Sequence, residues 1–142
     1  MAYEGLSEYA AKKILDHAMG KTAWTMPTNV YVALFIGDPY GAGAELTAPP
    51  CTDYAREQTT GASWGSAAFT SPTASITSAA DIDFGTAGAD WGTVTHVAIF
   101  DAATNGNMIA AGPLETSFPI MSAAPVKFPT GTLIVRYTQA TV

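Results

Sequence analysis

One arrangement in this chain could do covalent chemistry. Gly61-Ala62-Ser63-Trp64-Gly65 fits the G-x-S-x-G pattern of a nucleophile elbow, and Asp90 and His96 follow Ser63 in the chain order of that hydrolase class. An elbow of this kind needs a strand, a strained turn and a helix to lift the serine hydroxyl above a parallel sheet. No helical pattern follows Ser63, and a chain rich in Gly, Ala and Ser meets the pattern by chance. His96 lies inside an apolar stretch, where a histidine is expected to be satisfied by a hydrogen bond within the core. His17 falls on the polar side of a helical pattern, either solvated or paired across an interface. Asp81 and Asp83 share one side of a short strand and would suit a hard cation, but no third or fourth oxygen donor lies nearby in sequence. Cys51, between Pro50 and Thr52, reads as a loop thiol with no basic neighbour to activate it. Trp24, Trp64, Trp91 and Tyr137 could build a sugar-binding platform, although such side chains more often fill a sandwich core or an oligomer interface. No catalytic, cofactor-binding or metal-ligating residue is assigned on these grounds, and neither an enzymatic activity nor a cofactor is expected.

The elements that would position these residues must come from a chain of 142 residues. That length suits a single domain spanning residues 1–142, burying roughly 70% of the surface of the unfolded chain. Charged residues are only 13% of the total, against the quarter or so usual for soluble domains, so much of the surface is expected to meet other protein. Six basic against twelve acidic residues give a net charge of −6, which disfavours nucleic acid as a partner. The single cysteine excludes an internal disulfide and points to a reducing site of synthesis. The clearest apolar run, Val30 to Ile36, has seven residues where a membrane helix needs about 20. With no basic start leading into an apolar core, a soluble product without an export signal or membrane span is expected.

Asp90 to Leu114 is the stretch around which the rest is organised. From Thr93 the alternation puts Thr93, Thr95, Val97 and Ile99 on one face and Val94, His96, Ala98 and Phe100 on the other, mostly apolar on both. A strand like that belongs in the middle of a sheet. Asn105-Gly106 supplies a pair that tolerates positive φ, after which Met108 to Ala111 returns as a shorter strand that Pro113 ends. The run Val30 to Ile36 is the other doubly apolar strand. Ahead of it, residues 7–19 form the one convincing helix. Ser7 is its cap, Ala10, Ala11, Ile14, Leu15 and Ala18 make its apolar stripe, Glu8 supports Lys12, and Gly20 stops it. At about 13 residues it is too short to stand alone and must dock on the sheet or on a neighbouring subunit.

Tyr40 to Pro50 reads as a loop without a definite element. Short strands are expected at 54–60, 64–69, 75–77, 82–84, 118–121, 126–128 and 132–138, the last with Leu133, Val135 and Tyr137 alternating with Ile134, Arg136 and Thr138 in a half-buried pattern. With no helices interleaved, the fold class is mainly β: an antiparallel, jelly-roll-like β-sandwich with one N-terminal α-helix.

Set in order, the Leu6-Ser7 helix start, Thr28 to Phe35, Asp38-Pro39, Glu45, Tyr54-Ala55-Arg56, Asp81 to Phe84 and Asp90 to Ala102 resemble a family of small phage virion proteins, commonly labelled tail fibre proteins. The resemblance runs from Leu6 to about Val135 and is most specific from Asp90 to Ala102, with Gly106-Asn107 after it. The chain departs from it at Pro49-Pro50-Cys51 and near Ser122 to Pro125. The resemblance implies a structural protein of the virion, assembled in the bacterial host cytoplasm. A fibre shaft would show repeats or heptads, and neither is present. The reading favoured here is therefore a capsid decoration or cement protein, contacting the major capsid protein or other virion proteins as a homo-oligomer, with a trimer favoured. A tail fibre or tail-tip component with a receptor- or glycan-binding role is the alternative. The helix and the 40–51 loop are the expected contact elements.

Overall fold

The computed structural model describes residues 5–138. In chain order, β1 (Gly5–Leu6) leads into the helix α1 (Glu8–Ala18), followed by β2 (Asn29–Ile36), β3 (Ala44–Glu45) and β4 (Glu57–Thr60). Beyond a 3-10 turn at Gly61–Ser63 come β5 (Ala68–Thr70), β6 (Thr73–Thr77), β7 (Ile82–Thr86), β8 (Gly92–Phe100), β9 (Met108–Ile120), β10 (Pro125–Phe128) and β11 (Ile134–Thr138).

The two doubly apolar runs sit in the middle of the main sheet, as their lack of a polar face requires. β8 lies between β2 and β9, and β1 pairs with the start of β9. The outer edge of β2 is shared, β4 covering Asn29 to Val32 and β3 covering Phe35 and Ile36. Every pairing is antiparallel. Val32, Leu34, Val94 and Ile120 on one face of this sheet meet Ile82 and Phe84 of β7 and Val126 of β10, forming the larger core. Ala33, Phe35, Ala98 and Ala111 on the opposite face form a smaller one, with Tyr40, Phe100 and Met108 against it. Leu34 and Val32 are fully buried, each stabilising the fold by roughly 1.5–3 kcal/mol through apolar burial. The second layer is divided into the β7–β10 pair and a three-stranded sheet in the order β11-β6-β5, giving a sandwich-like arrangement.

Two expectations about the central hairpin need correction. β9 does not stop at Pro113 but runs to Ile120, taking in the separate strand expected at 118–121. Its register against β8 breaks between Val94, opposite Phe118, and His96, opposite Pro113. Four residues of β9 thus face Thr95 alone. Proline is tolerated at such a break because no ladder bond needs its missing N–H. The break also overturns strict alternation along β8: Val94 and Val97, three positions apart, both pack on the larger core. The Asn105-Gly106 bend is as expected, with φ of 52° and 73°.

Elsewhere, the strand expected at 64–69 gives way to the 3-10 turn, a single bridge from Trp64 to Ser78, and β5. The 40–51 loop carries β3 and sends Leu46 and Cys51 into the core, so it is part of the fold and not an appendage.

Ser7 caps α1 as expected, its Oγ accepting the Ala10 N–H at 3.0 Å, and Gly20 at φ 70° follows the end. The Ser7 N–H donates to Ile109 O at 2.8 Å and its hydroxyl to Met108 O, which ties the first turn to β9. Only that turn docks fully, with Ala10 completely buried. Ile14 and Leu15 of the expected stripe stay 40% and 63% exposed. Lys12 pairs with Asp16 at 2.6 Å, not with Glu8.

Candidate functional site

The serine constellation is dispersed. Ser63 lies in the 3-10 turn, and its Oγ accepts the Thr60 N–H at 3.2 Å. Asp90 Oδ1 accepts the Ser122 N–H at 2.7 Å, and His96 Nδ1 lies 2.8 Å from Thr95 Oγ1. That threonine oxygen also accepts the Gly37 N–H at 2.8 Å, so the histidine's expected hydrogen bond exists, while its buried Nε2 meets no partner among the described residues. Ser63, Asp90 and His96 are thus each occupied locally, in different parts of the fold.

The other candidates also separate. His17 Nδ1 accepts the Trp24 N–H at 3.0 Å, holding the segment after α1 against the helix. Asp81 binds Lys127 Nζ at 2.9 Å and the Thr130 N–H at 2.8 Å, while Asp83 accepts the Gly85 N–H at 2.8 Å. The lysine bond, followed by the two bonds from Thr130, holds the Asp81 carboxyl down at about 2. Glu57 is pushed up from its ordinary value by burial and, secondly, by the negative charge of Asp83. Cys51 lies in a loop as expected, but its side chain is buried in the larger core, 5% exposed. Of the four aromatics, Trp91 is buried in the larger core and Trp64 packs against it, whereas Tyr137 is 56% exposed on β11 and Trp24 stands edge-on to Tyr9. They do not form one platform. A groove of about 550 Å³ opens between β11 and the main sheet, walled by Leu6, Val97, Leu114, Phe128 and Val135 among others. Ser63, Asp90 and His96 are not among its walls.

What the fold does bring together is a set centred on Arg56. Its Nε donates to Glu45 Oε1 at 2.8 Å and its Nη2 to Oε2 at 2.7 Å, a two-pronged ion pair whose guanidinium side is only 8% exposed. Nη1 donates to the carbonyls of Ala102 and Asn105, both at 2.8 Å. The guanidinium lies 3.7 Å from the centroid of the Phe100 ring. One side chain thereby joins β3, the end of β8 and the 101–107 bend.

Tyr54 completes the set for a reason written in the sheet edge. Neither β3 nor β4 covers Leu34, and the phenol oxygen of Tyr54 takes the Leu34 N–H at 3.0 Å while donating to Glu45 Oε1 at 3.2 Å. Burial first, and then the nearby Glu45 carboxylate, push the Tyr54 phenol well above its ordinary value. Glu45, Tyr54, Arg56 and the 101–102 segment all belong to the signature noted in the sequence, but their joint role was not read there. The available signal was Arg56 itself, one of only six basic residues and two positions from Tyr54.

A second feature is the free face of α1. Leu15, Met19 and Met26 are 63%, 74% and 83% exposed, beside a hollow of about 320 Å³ lined by Ile14, His17, Ala18, Trp24, Met26 and Pro27. Among the described residues, no helix is long and apolar enough to cross a membrane.

The fold defines the class first: a mainly β protein of antiparallel sheets, with one short helix and an ion-pair clamp centred on Arg56. Its family follows from comparison with known proteins. The chain belongs to the family described as podophage GP4 fiber I protein gp80, whose model matches residues 5–136. No curated protein matches the chain. This membership agrees with the resemblance carried by Leu6 to Val135 and makes the chain a structural protein of the phage virion, of the fibre type.

Proposed function

We propose that this chain is a non-enzymatic fibre module that holds virion proteins together by surface contact. The observation that carries the reading is the family match over 5–136, which speaks for a fibre component and gives no preference to the capsid decoration role. The exposed Ile14 and Leu15 on α1, with Met19 at its C-cap and Met26 in the segment after it, support it, because exposed apolar side chains suit a protein partner. The internal clamp supports it as well: a module under load benefits from a bend fixed at both carbonyls by Arg56.

Such a module works by mass action. A component that binds only the assembled structure adds RT ln(1 + [L]/Kd) to its stability at each contact, so many weak contacts sum. A glycan-binding role gains little support from the aromatics, since Trp64 and Trp91 serve the core. Synthesis and assembly in the host cytoplasm fit the single buried cysteine. The decoration reading retains one observation, the lack of length-building repeats or heptads in the chain.

Copy number tests the proposal. Quantitative mass spectrometry of purified particles, with antibody labelling in electron micrographs, should find few copies, located on the tail. Hundreds of copies spread over the shell would overturn the fibre assignment in favour of decoration.

A further inference from the structure

We propose that Asn105 is a latent site of self-modification: its side-chain amide closes onto the backbone nitrogen of Gly106 when the 101–107 bend opens, and the Arg56 clamp sets how often that happens. The inference goes beyond the fibre reading and does not depend on it.

The reactive pair occurs once in the chain. Of the three asparagines only Asn105 precedes a glycine, whereas Asn29 precedes the β-branched Val30 within β2 and Asn107 precedes Met108. Glycine has no Cβ to shield its nitrogen. Asn105 and Gly106 are both exposed, so water and hydroxide reach them. Hydroxide removes the Gly106 N–H proton, and the nitrogen attacks Asn105 Cγ. The bond from Cγ to the side-chain nitrogen then breaks, and that nitrogen takes a proton from water to leave as ammonia. A five-membered imide remains, which water opens. Addition at Cγ leaves an aspartyl residue in an unaltered main chain. Addition at the Asn105 carbonyl carbon leaves an isoaspartyl residue, whose main chain runs through Cγ and whose former carbonyl is a carboxylate. One water is consumed and one ammonia released, with no change of oxidation state.

The folded bend forbids the first step. Asn105 has φ 52° and Gly106 φ 73°. A residue with a side chain at such a φ is confined to the left-handed region, with ψ of roughly 30–60°. There the Gly106 nitrogen lies nearly anti to the Asn105 Cβ across the Cα–C bond, whereas the ring needs the two nearly eclipsed. Cyclisation therefore waits for ψ of Asn105 to turn through more than a right angle. That turn swings the carbonyl that Arg56 grips. Nη1 holds the carbonyls of Ala102 and Asn105, both at 2.8 Å, and beyond the bend Asp101 holds the Asn107 N–H at 2.7 Å and its side-chain amide at 2.9 Å.

Either product adds a negative charge to a chain already at −6. The isoaspartyl product does more. Arg56 would hold a carboxylate hanging from the chain instead of the chain itself, and the main chain gains one atom between Phe100 and Met108, the pair that closes β8 on β9. The clamp thus sets the chemical lifetime of the hairpin.

Peptide mapping by mass spectrometry, after incubating the full chain in mildly alkaline heavy-oxygen water, tests this. In urea Asn105 should convert, with isoaspartate revealed by an isoaspartyl methyltransferase, and in the folded chain it should convert about tenfold more slowly or less. Arg56→Ala should raise the folded rate about tenfold or more; Arg56→Lys should move it the same way and replaces Arg56→Ala if circular dichroism shows that variant unfolded. Ile82→Ala weakens the larger core away from the bend and should leave the folded rate within about twofold of the natural one. Asn105→Gly should abolish conversion at this site. Equal rates in the folded chain and in urea, equal acceleration by Ile82→Ala and Arg56→Ala, or conversion confined to Asn29 or Asn107 would each overturn the inference.

Discussion

The guanidinium carbon of Arg56 sits 3.7 Å from the centroid of the Phe100 ring, with the carboxylate of Glu45 gripping the guanidinium through two hydrogen bonds. Phe100 ends β8 and Glu45 ends β3, so the arginine joins two strands that have no ladder between them. Its remaining donor closes the 101–107 bend through the carbonyls of Ala102 and Asn105. Arg56→Ala leaves Glu45 partly buried without its counter-charge and both carbonyls without a donor. Loss of one partner of a buried pair costs on the order of 3–5 kcal/mol, and the 21% exposure of Glu45 puts this case at about 3. Urea unfolding should show that loss for Arg56→Ala. Arg56→Lys should recover less than half of it, because an ammonium supplies neither the fork nor the planar stack. The double variant R56A/E45A should cost less than the two single losses added.

Tyr54 makes an independent prediction. Its hydroxyl takes the one N–H of β2 that falls between β3 and β4, so Tyr54→Phe leaves a buried donor unsatisfied, at a cost of about 1–3 kcal/mol. The same residue gives an alkaline signature. Its folded pKa is raised, so its contribution is fully present below the ordinary value of 10.0 and is lost as pH rises toward the folded value. Thermal melts above pH 10 should fall more steeply for the natural chain than for Tyr54→Phe.

Gly106 has φ 73°, and a Cβ placed on it would lie 2.6 Å from both Ala102 Cβ and Asp101 Oδ1. Gly106→Ala therefore adds a clash to the roughly 1 kcal/mol that a left-handed conformation costs a residue with a side chain. The clash falls on Asp101, whose carboxylate holds the Asn107 N–H at 2.7 Å. The variant should lose about 2 kcal/mol in urea and become open to limited proteolysis between residues 101 and 107. A melting temperature equal to that of the natural chain would show that the bend carries no such constraint.

Much of this fold could be read from local pattern. β2 and β8 have apolar residues on both faces, which only a central position satisfies, and both are central. Ser7 announces its cap and Asn105-Gly106 its bend, because those signals are chemical and local. The clamp was not legible in the same way: Arg56 is 11 residues from Glu45 and 46 from Ala102, and nothing in their spacing says they meet. The need for Tyr54 arises only once β3 and β4 leave a gap opposite Leu34. Pro113 misled for a related reason, since a proline ends a regular strand but is harmless at a register break that depends on the partner strand. The helix stripe read correctly as apolar, yet how far it overhangs the sheet is set by where β9 begins.

The Asp81–Lys127 pair predicts an acid signature. Hydrogen bonds from Lys127 and Thr130 hold the carboxyl below its ordinary 3.8, at about 2. A depressed carboxylate stabilises the fold fully above its unfolded value, and that contribution is lost as pH falls from about 4 toward 2. The pair is exposed, so the effect is small and weakens with salt. Glu57 works in the opposite sense, because a raised carboxyl favours the fold on protonation. The comparison with Asp81→Asn isolates the first effect: calorimetric melts should fall more steeply between pH 4 and 2 for the natural chain than for the variant. Parallel curves would show that the carboxylate gains nothing from its partners.

Cys51 reports on the same region by a different chemistry. Its sulfur lies 3.8 Å from the carbonyl oxygen of Trp91, and its N–H donates to Thr47 O at 2.9 Å, within the segment that also carries Tyr54. A disulfide reagent cannot reach a thiol 5% exposed unless the 46–54 segment opens, so labelling of the folded chain should run orders of magnitude more slowly than labelling in urea. The rate then measures the free energy of that local opening. Tyr54→Phe and Arg56→Ala loosen opposite ends of one hydrogen-bonded set, and both should speed labelling, whereas Asp81→Asn, on the far side of the core at the β7–β10 pair, should leave the rate unchanged. Labelling of the natural chain at the free-thiol rate would mean that the segment is not packed, and the Tyr54 bond to Leu34 would fall with it.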